Sequence, residues 1–185
     1  MTAQTNKWKL GAFAHRLIML PALVVALSLA STAAASAPPA FQATVNGIHP
    51  KTEPPCPTSF CGTASIAGYG SATWTLDVLS NPPVSTACPR TGLVSVETYQ
   101  ATTTFTIPAN GVYPNGSTLV LDESGLVCAP GNSYPGPPSE VGVPLYAEGN
   151  WTVESASGAF SGLTGGGTDT LHSAGARISG TYSGT

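Results

Sequence analysis

Apolar and polar residues alternate along three long stretches of this chain. The stretches cover residues 72–78, 99–107 and 145–154. A period of two predicts antiparallel strands that have one face in the core and the other in water. The faces predicted to point inward carry four large aromatic residues, which are Trp74, Tyr99, Phe105 and Trp151.

Shorter segments continue this strand pattern through the rest of the chain. Further strands are predicted around residues 41–47, 62–68, 117–122, 125–129, 167–173 and 176–183. Turn-forming residues such as PANG at 108–111 and ESG at 123–125 separate them. Helix signals are almost absent, because Gly, Pro and β-branched residues interrupt every helical period. The pattern therefore predicts an all-β fold, an antiparallel β-barrel of about eight strands, with a β-sandwich as the alternative.

The first 35 residues differ in composition from the rest. Three fixed cations precede the apolar run 17–30, and small residues follow that run. This order predicts a secretory signal peptide at 1–35. The fourteen apolar residues are fewer than the roughly 20 that span a bilayer, so we expect no membrane association after removal of the leader. Residues 36–185 then form a single β-barrel domain, which includes a Pro/Gly-rich loop at 129–144.

Charge is scarce in the predicted mature chain. Lys51, Arg90 and Arg177 are its only fixed cations, against nine acidic residues. This balance argues against nucleic acid and anionic lipid as partners, because both require a basic surface. Abundant Ser, Thr and Gly with little charge are typical of exported β-proteins. We therefore expect a secreted, extracellular protein of bacterial origin.

Four cysteines lie in the predicted mature chain, and an even number in an oxidising compartment predicts disulfides. Of three possible connectivities we favour Cys56–Cys61, which is close in sequence and flanked by turn-forming prolines, together with Cys88–Cys128. A zinc site is the alternative, but there is no second C-x-x-C pair and no nearby histidine. We therefore expect neither a metal site nor a cofactor.

The segment SGAFSGLTGGGTDT at 157–170 places five glycines around one phenylalanine. A flexible linker would lack the large apolar residues found here. The segment misses the spacing of a calcium-binding repeat by one residue, and it lacks the lysine and helix of a phosphate-binding loop. Glycine also lets a strand bend sharply or pass close to another backbone. We predict that these glycines curve the sheet and let it close.

The longer segment GNWTVESASGAFSGLTGGGT at 149–168 resembles the strand–G-x-F-x-G-x-x-G-x-G-T segment of the allene oxide cyclase and dirigent-like β-barrel proteins, particularly their bacterial secreted members. The matching positions are Trp151, Val153, Gly158, Phe160, Gly162, Gly165, Gly167 and Thr168. The resemblance implies an eight-stranded antiparallel barrel with Phe160 packed into one end. For some members it also implies a cyclase or isomerase. It transfers no catalytic residue to this chain.

Residues suited to acid–base chemistry are few. Glu97 shares its face with Tyr99 and Phe105, so it either points inward at a strand end or lies solvated at the barrel rim. An inward carboxyl group would have a raised pKa and would be a candidate acid or base. His49 and His172 are expected at the solvated surface.

The inward aromatic residues Trp74, Tyr99, Phe105 and Trp151 can either fill a small barrel or line a ligand cavity. The leading functional interpretation is a non-enzymatic secreted barrel that acts as a surface-interaction module or binds a small apolar ligand. One alternative is a cyclase or isomerase that acts by confining its substrate. The other is an immunoglobulin-like adhesion module.

Overall fold

The structure is a computed structural model that describes residues 40–49, 56, 59–84, 87–130 and 144–185. Eight antiparallel strands form a closed barrel in chain order. Their bounds are β1 Phe41–Ile48, β2 Phe60–Ile66, β3 Gly70–Ser80, β4 Leu93–Ile107, β5 Ser117–Pro130, β6 Leu145–Ala156, β7 Gly166–Ala174 and β8 Arg177–Gly184. Pairing of β1 with β8 from Phe41 to Ile48 closes the sheet. The predicted all-β barrel is confirmed, and the sandwich alternative, which requires free sheet edges, is wrong.

One predicted turn lies inside a strand. β5 continues through ESG at 123–125 and ends at Pro130, so the predicted break there is wrong, and so is the start of the long loop at 129. Gly125 pairs with Tyr99 on one side and with Gly149 on the other, so two complete ladders override the local turn preference. The rest of that loop, 131–143, and the predicted signal peptide lie outside the described residues.

The two ends of the barrel carry different connections. β1, β3, β5 and β7 run toward one end, here called the cavity end, and the other strands run toward the opposite end, here called the plug end. At the plug end a 3-10 turn, Gly158–Phe160, follows β6. It is the only helical element among the described residues, and it is too short to cross a membrane.

Phe160 closes the plug end. Its side chain is fully buried and lies against Tyr69 of the β2–β3 turn, with 4.9 Å between the ring centroids. The expectation that Phe160 packs into one end of a barrel is therefore confirmed. Gly158 makes this turn possible, because it has a φ of 61° and because a Cβ there would overlap Ser117 of β5.

Aromatic rings fill the barrel on the plug side of its middle. Phe105 contacts Phe41 and Tyr182 edge to face, with centroid distances of 5.6 and 5.3 Å. Phe41 in turn contacts Trp151 at 5.6 Å. Such pairs add about 0.5–1.5 kcal/mol each beyond the burial of their area.

Two glycines of neighbouring strands give Trp151 its space. Gly167 of β7 pairs with Gly184 of β8, and a Cβ on either would collide with the Trp151 ring. Gly167, which belongs to the glycine segment, thus lets two strands pack closely around one large side chain.

Both predicted disulfides are confirmed. Cys56 pairs with Cys61 and Cys88 with Cys128, at Cα–Cα distances of 5.6 and 6.0 Å. Cys61 lies at the start of β2 and Cys128 near the end of β5, so both bridges brace the cavity end.

Candidate functional site

A cavity of about 280 Å³ lies inside the cavity end of the barrel. Its lining is mostly apolar and comes from seven of the eight strands and two of the connections between them. The apolar and aromatic lining residues are Phe60, Leu76, Val78, Tyr99, Val127, Leu145, Ala147, Leu171 and Ile178. The polar ones are His49, Asn81, Glu97 and Ser173. A largely apolar cavity with a few converging polar groups is the usual form of a small-molecule site.

Glu97 is the acidic residue of this lining. It lies on the inward face of β4, and its side chain is 7% exposed, so the inward alternative for Glu97 is correct. Burial raises its pKa to about 7, while a hydrogen bond from Asn81 lowers the pKa by a smaller amount. A carboxyl group in this range holds and releases a proton near neutral pH, which suits a general acid or base.

The segment after β3 places Asn81 beside Glu97. The backbone N–H of Thr98 donates to the carbonyl oxygen of Pro82, and Pro83 forms a bridge with Glu97. These contacts hold the segment alongside β4. Asn81 Nδ2 then donates a hydrogen bond of 3.2 Å to Glu97 Oε2.

Two more carboxyl groups lie deeper in the barrel. Asp169 is 1% exposed and accepts a 2.7 Å hydrogen bond from the hydroxyl of Tyr99. Burial raises the pKa of Asp169 to about 6, and the bond from Tyr99 partly offsets this. Because the ring of Tyr99 lines the cavity while its hydroxyl reaches Asp169, Tyr99 lies between the cavity and the carboxyl group.

Glu123 is 4% exposed, and neither of its carboxyl oxygens has a hydrogen bond of normal geometry. Burial and the charge of Asp169 raise its pKa to about 8, although the nearby hydroxyls of Thr103 and Tyr182 lower it somewhat. Those two hydroxyls share a hydrogen bond of 3.2 Å. Glu123 is therefore protonated at neutral pH, which removes the cost of a buried, unpaired charge.

A pair of glycines makes room for Tyr99. Gly125 and Gly149 face each other on β5 and β6. A Cβ on Gly125 would collide with the Tyr99 ring, and one on Gly149 would overlap its hydroxyl and the Asp169 carboxyl group. The Tyr99–Asp169 hydrogen bond thus depends on the absence of a side chain at Gly149.

The predicted ligand-binding residues separate into two groups. All four aromatic side chains are buried, as predicted. Tyr99 lines the cavity, but Trp74, Phe105 and Trp151 do not belong to its lining. Phe105 and Trp151 instead belong to the aromatic packing on the plug side.

The histidines are not the solvated surface residues that the sequence analysis expects. His49 is half-buried, lines the cavity and contacts Phe60 edge to face at a centroid distance of 4.7 Å. His172 is also half-buried and stacks on Tyr146 at 4.6 Å. The prediction of a solvated surface position is therefore wrong for His49, which lines the cavity. His172 lies on the outer face of β7, where Tyr146 covers part of its ring.

Glu123 and Asp169 are absent from the predicted site residues. Glu123 was assigned to a turn, yet it continues the inward face of Leu119 and Leu121. Asp169 alternates with exposed Thr168 and Thr170. An unbroken period of two through these positions is the signal that could have found them.

The described residues contain no group of three or more side chains able to hold a metal ion. No protein-family model, curated protein or solved structure matches this chain.

The candidate site consists of the cavity, the hydrogen-bonded pair of Glu97 and Asn81, and the buried carboxyl groups of Asp169 and Glu123.

Proposed function

We propose that the barrel binds a small, largely apolar molecule in the cavity and that Glu97 contacts the polar group of this ligand. The buried position of Glu97 in an otherwise mostly apolar lining carries the proposal. The cavity volume lies near the lower end of the range of small-molecule sites, about 300–1,000 Å³, which fits a small ligand.

A blocked cavity tests this proposal. We expect octan-1-ol to bind the native protein in calorimetry and Ala147→Trp to abolish binding, because Ala147 lines the cavity. Thr152→Trp is the matched control, since Thr152 lies on the same strand but is exposed. Equal octan-1-ol binding by both variants contradicts the proposal, and so does a native protein that binds no small amphiphile of this chain length, whether its polar group is neutral or charged.

The pKa of Glu97 favours a second candidate function, an isomerase or cyclase that moves a proton of a confined substrate. With a pKa of about 7, Glu97 can both accept and return a proton, a role worth about 10²–10⁴ in rate. Exchange of the α-protons of 2-octanone in D₂O reports this ability. We expect Glu97→Gln to abolish the accelerated exchange and Glu154→Gln, at an exposed position, to preserve it.

We also propose that the chain is secreted and related to the allene oxide cyclase and dirigent-like barrels. The glycine–phenylalanine segment, the eight strands and the packing of Phe160 support the relationship. The two disulfides support an oxidising compartment. The adhesion alternative lacks support, because the large exposed hydrophobic side chains of the described residues are aliphatic and none is aromatic.

A further inference from the structure

The interior of the barrel is acidic. Glu97 lines the cavity, with Asp169 and Glu123 buried in the same barrel, and no described lining residue is a lysine or an arginine. The two arginines among the described residues lie elsewhere: Arg90 pairs with Glu148 outside the barrel, and Arg177 is exposed. The ionised carboxyl group of Glu97 would therefore repel a carboxylate ligand in this desolvated site and attract a cation.

Glu97 retains capacity for another hydrogen-bond donor. Asn81 supplies one donor to Oε2, and a carboxylate offers about four lone-pair sites. A charged N–H donor would form the stronger, charge-assisted kind of hydrogen bond.

Aromatic rings share the lining with Glu97. Phe60 and Tyr99 both border the cavity. A ring face within about 6 Å attracts an ammonium group, most strongly where water is excluded. A carboxyl group together with aromatic rings is a combination that recognises a protonated nitrogen.

We propose that the ligand of this cavity is a small apolar amine, whose protonated nitrogen pairs with the Glu97 carboxylate and whose hydrocarbon part fills the aliphatic lining. This inference rests on the proposed function, because it specifies the ligand class of the same cavity. Alkylamines resemble the lysine side chain and are protonated at neutral pH. The ammonium group therefore supplies the fixed positive charge that the described lining lacks.

Three probes that share an eight-carbon chain test the ligand class. Octylamine, octan-1-ol and octanoate are titrated into the native protein at pH 7.5 and followed by calorimetry. We expect octylamine to bind about tenfold more tightly than octan-1-ol, because a charge-assisted hydrogen bond is stronger than a neutral one. Octanoate should bind most weakly, because its charge has the same sign as that of the Glu97 carboxylate.

Two variants test whether the tighter binding of octylamine depends on Glu97. Glu97→Gln should weaken octylamine binding about tenfold and change octan-1-ol binding by less than about threefold. Glu154→Gln removes the same charge from an exposed position on β6 and should leave all three affinities unchanged. An equal loss of octylamine binding in both variants would mean that overall charge attracts the amine, and this result overturns the proposal.

The probe series separates failure of this inference from failure of the proposed function. If none of the probes binds, the cavity is not a ligand site and both proposals fail. If octan-1-ol or octanoate binds as tightly as octylamine, the cavity binds ligands but the amine assignment is wrong. This comparison uses the native protein, so it remains decisive even if Glu97→Gln does not fold.

Discussion

The two ends of the barrel are built by the same eight strands, yet one is filled and the other is hollow. On the plug side, fully buried Phe105 and Phe160 belong to a packed aromatic interior. At the cavity end, the smaller lining residues Val78, Val127 and Ala147 leave about 280 Å³ unfilled. Strand alternation determines whether a side chain points into the barrel or out of it. How fully the interior is filled depends on the summed volumes of the inward side chains at each height along the barrel axis.

A polar layer lies between these two regions. Tyr99 and Asp169 form one hydrogen-bonded pair, and Thr103 and Tyr182 form another, with Glu123 close to the second pair. Polar groups at this depth cost stability unless they are hydrogen-bonded, and an unpaired charge costs far more than a neutral group. We therefore assign Asp169 and Glu123, the buried carboxyl groups of this layer, to the candidate site and not to the core.

The largest expected difference between the ends is in stability. Phe160→Ala should lower the free energy of unfolding by about 3–5 kcal/mol, because it empties a fully packed position. Val78→Ala should cost less than about 1 kcal/mol, since Val78 is 43% exposed and already borders empty space. Denaturant unfolding with the disulfides intact measures both, and similar losses at the two ends would contradict the contrast.

The buried carboxyl groups of the polar layer and of the cavity lining should make stability depend on pH. Burial raises the pKa of Glu123 from 4.5 to about 8, of Glu97 from 4.5 to about 7 and of Asp169 from 3.8 to about 6. The unfolded chain loses these protons first, so the folded state binds more protons between about pH 4 and pH 8. The free energy of unfolding therefore falls as the pH rises through that window.

Glu123→Gln isolates the largest of these contributions. At pH 8 this variant should be more stable than the native protein, by on the order of 3 kcal/mol, and its stability should vary less with pH. Glu154→Gln, at an exposed position, should leave the slope unchanged. Stability that stays constant from pH 5 to pH 8 in the native protein would show that these carboxyl groups are not held neutral by burial.

Gly149→Ala should have a smaller effect on stability, and this effect is specific to the boundary of the cavity. The added methyl group would overlap the Tyr99 hydroxyl and Asp169, so we expect a loss of about 1–3 kcal/mol from overpacking. Gly111→Ala is the control, because a Cβ there has no neighbour within 4 Å, and it should change stability by less than about 0.5 kcal/mol. Equal effects of the two substitutions would mean that Gly149 is not needed to accommodate Tyr99.

Much of the fold could be predicted from local patterns. The alternation at 99–107 correctly placed Tyr99 and Phe105 inside, and the inward alternative for Glu97 followed from the same face. The prediction of a turn at 123–125 is wrong because a local turn preference is weak compared with hydrogen bonding to strands on both sides. Since Glu123 lies in this segment, its inward position was not predicted either.

By itself, the sequence determined the strand class and the inward faces, because both follow from short-range spacing of residue types along the chain. It favoured one of three cysteine connectivities, because Cys56 and Cys61 are close in sequence and their pairing leaves Cys88 and Cys128. Only the tertiary structure decided which inward aromatic residue borders a cavity. It alone brought Asn81 to Glu97 and Tyr99 to Asp169, across separations of 16 and 70 residues. Whether space remains inside a barrel depends on the combined volume of side chains from many strands and on the register of those strands. A short segment of the sequence contains only one or two of these strands, so it cannot predict the cavity.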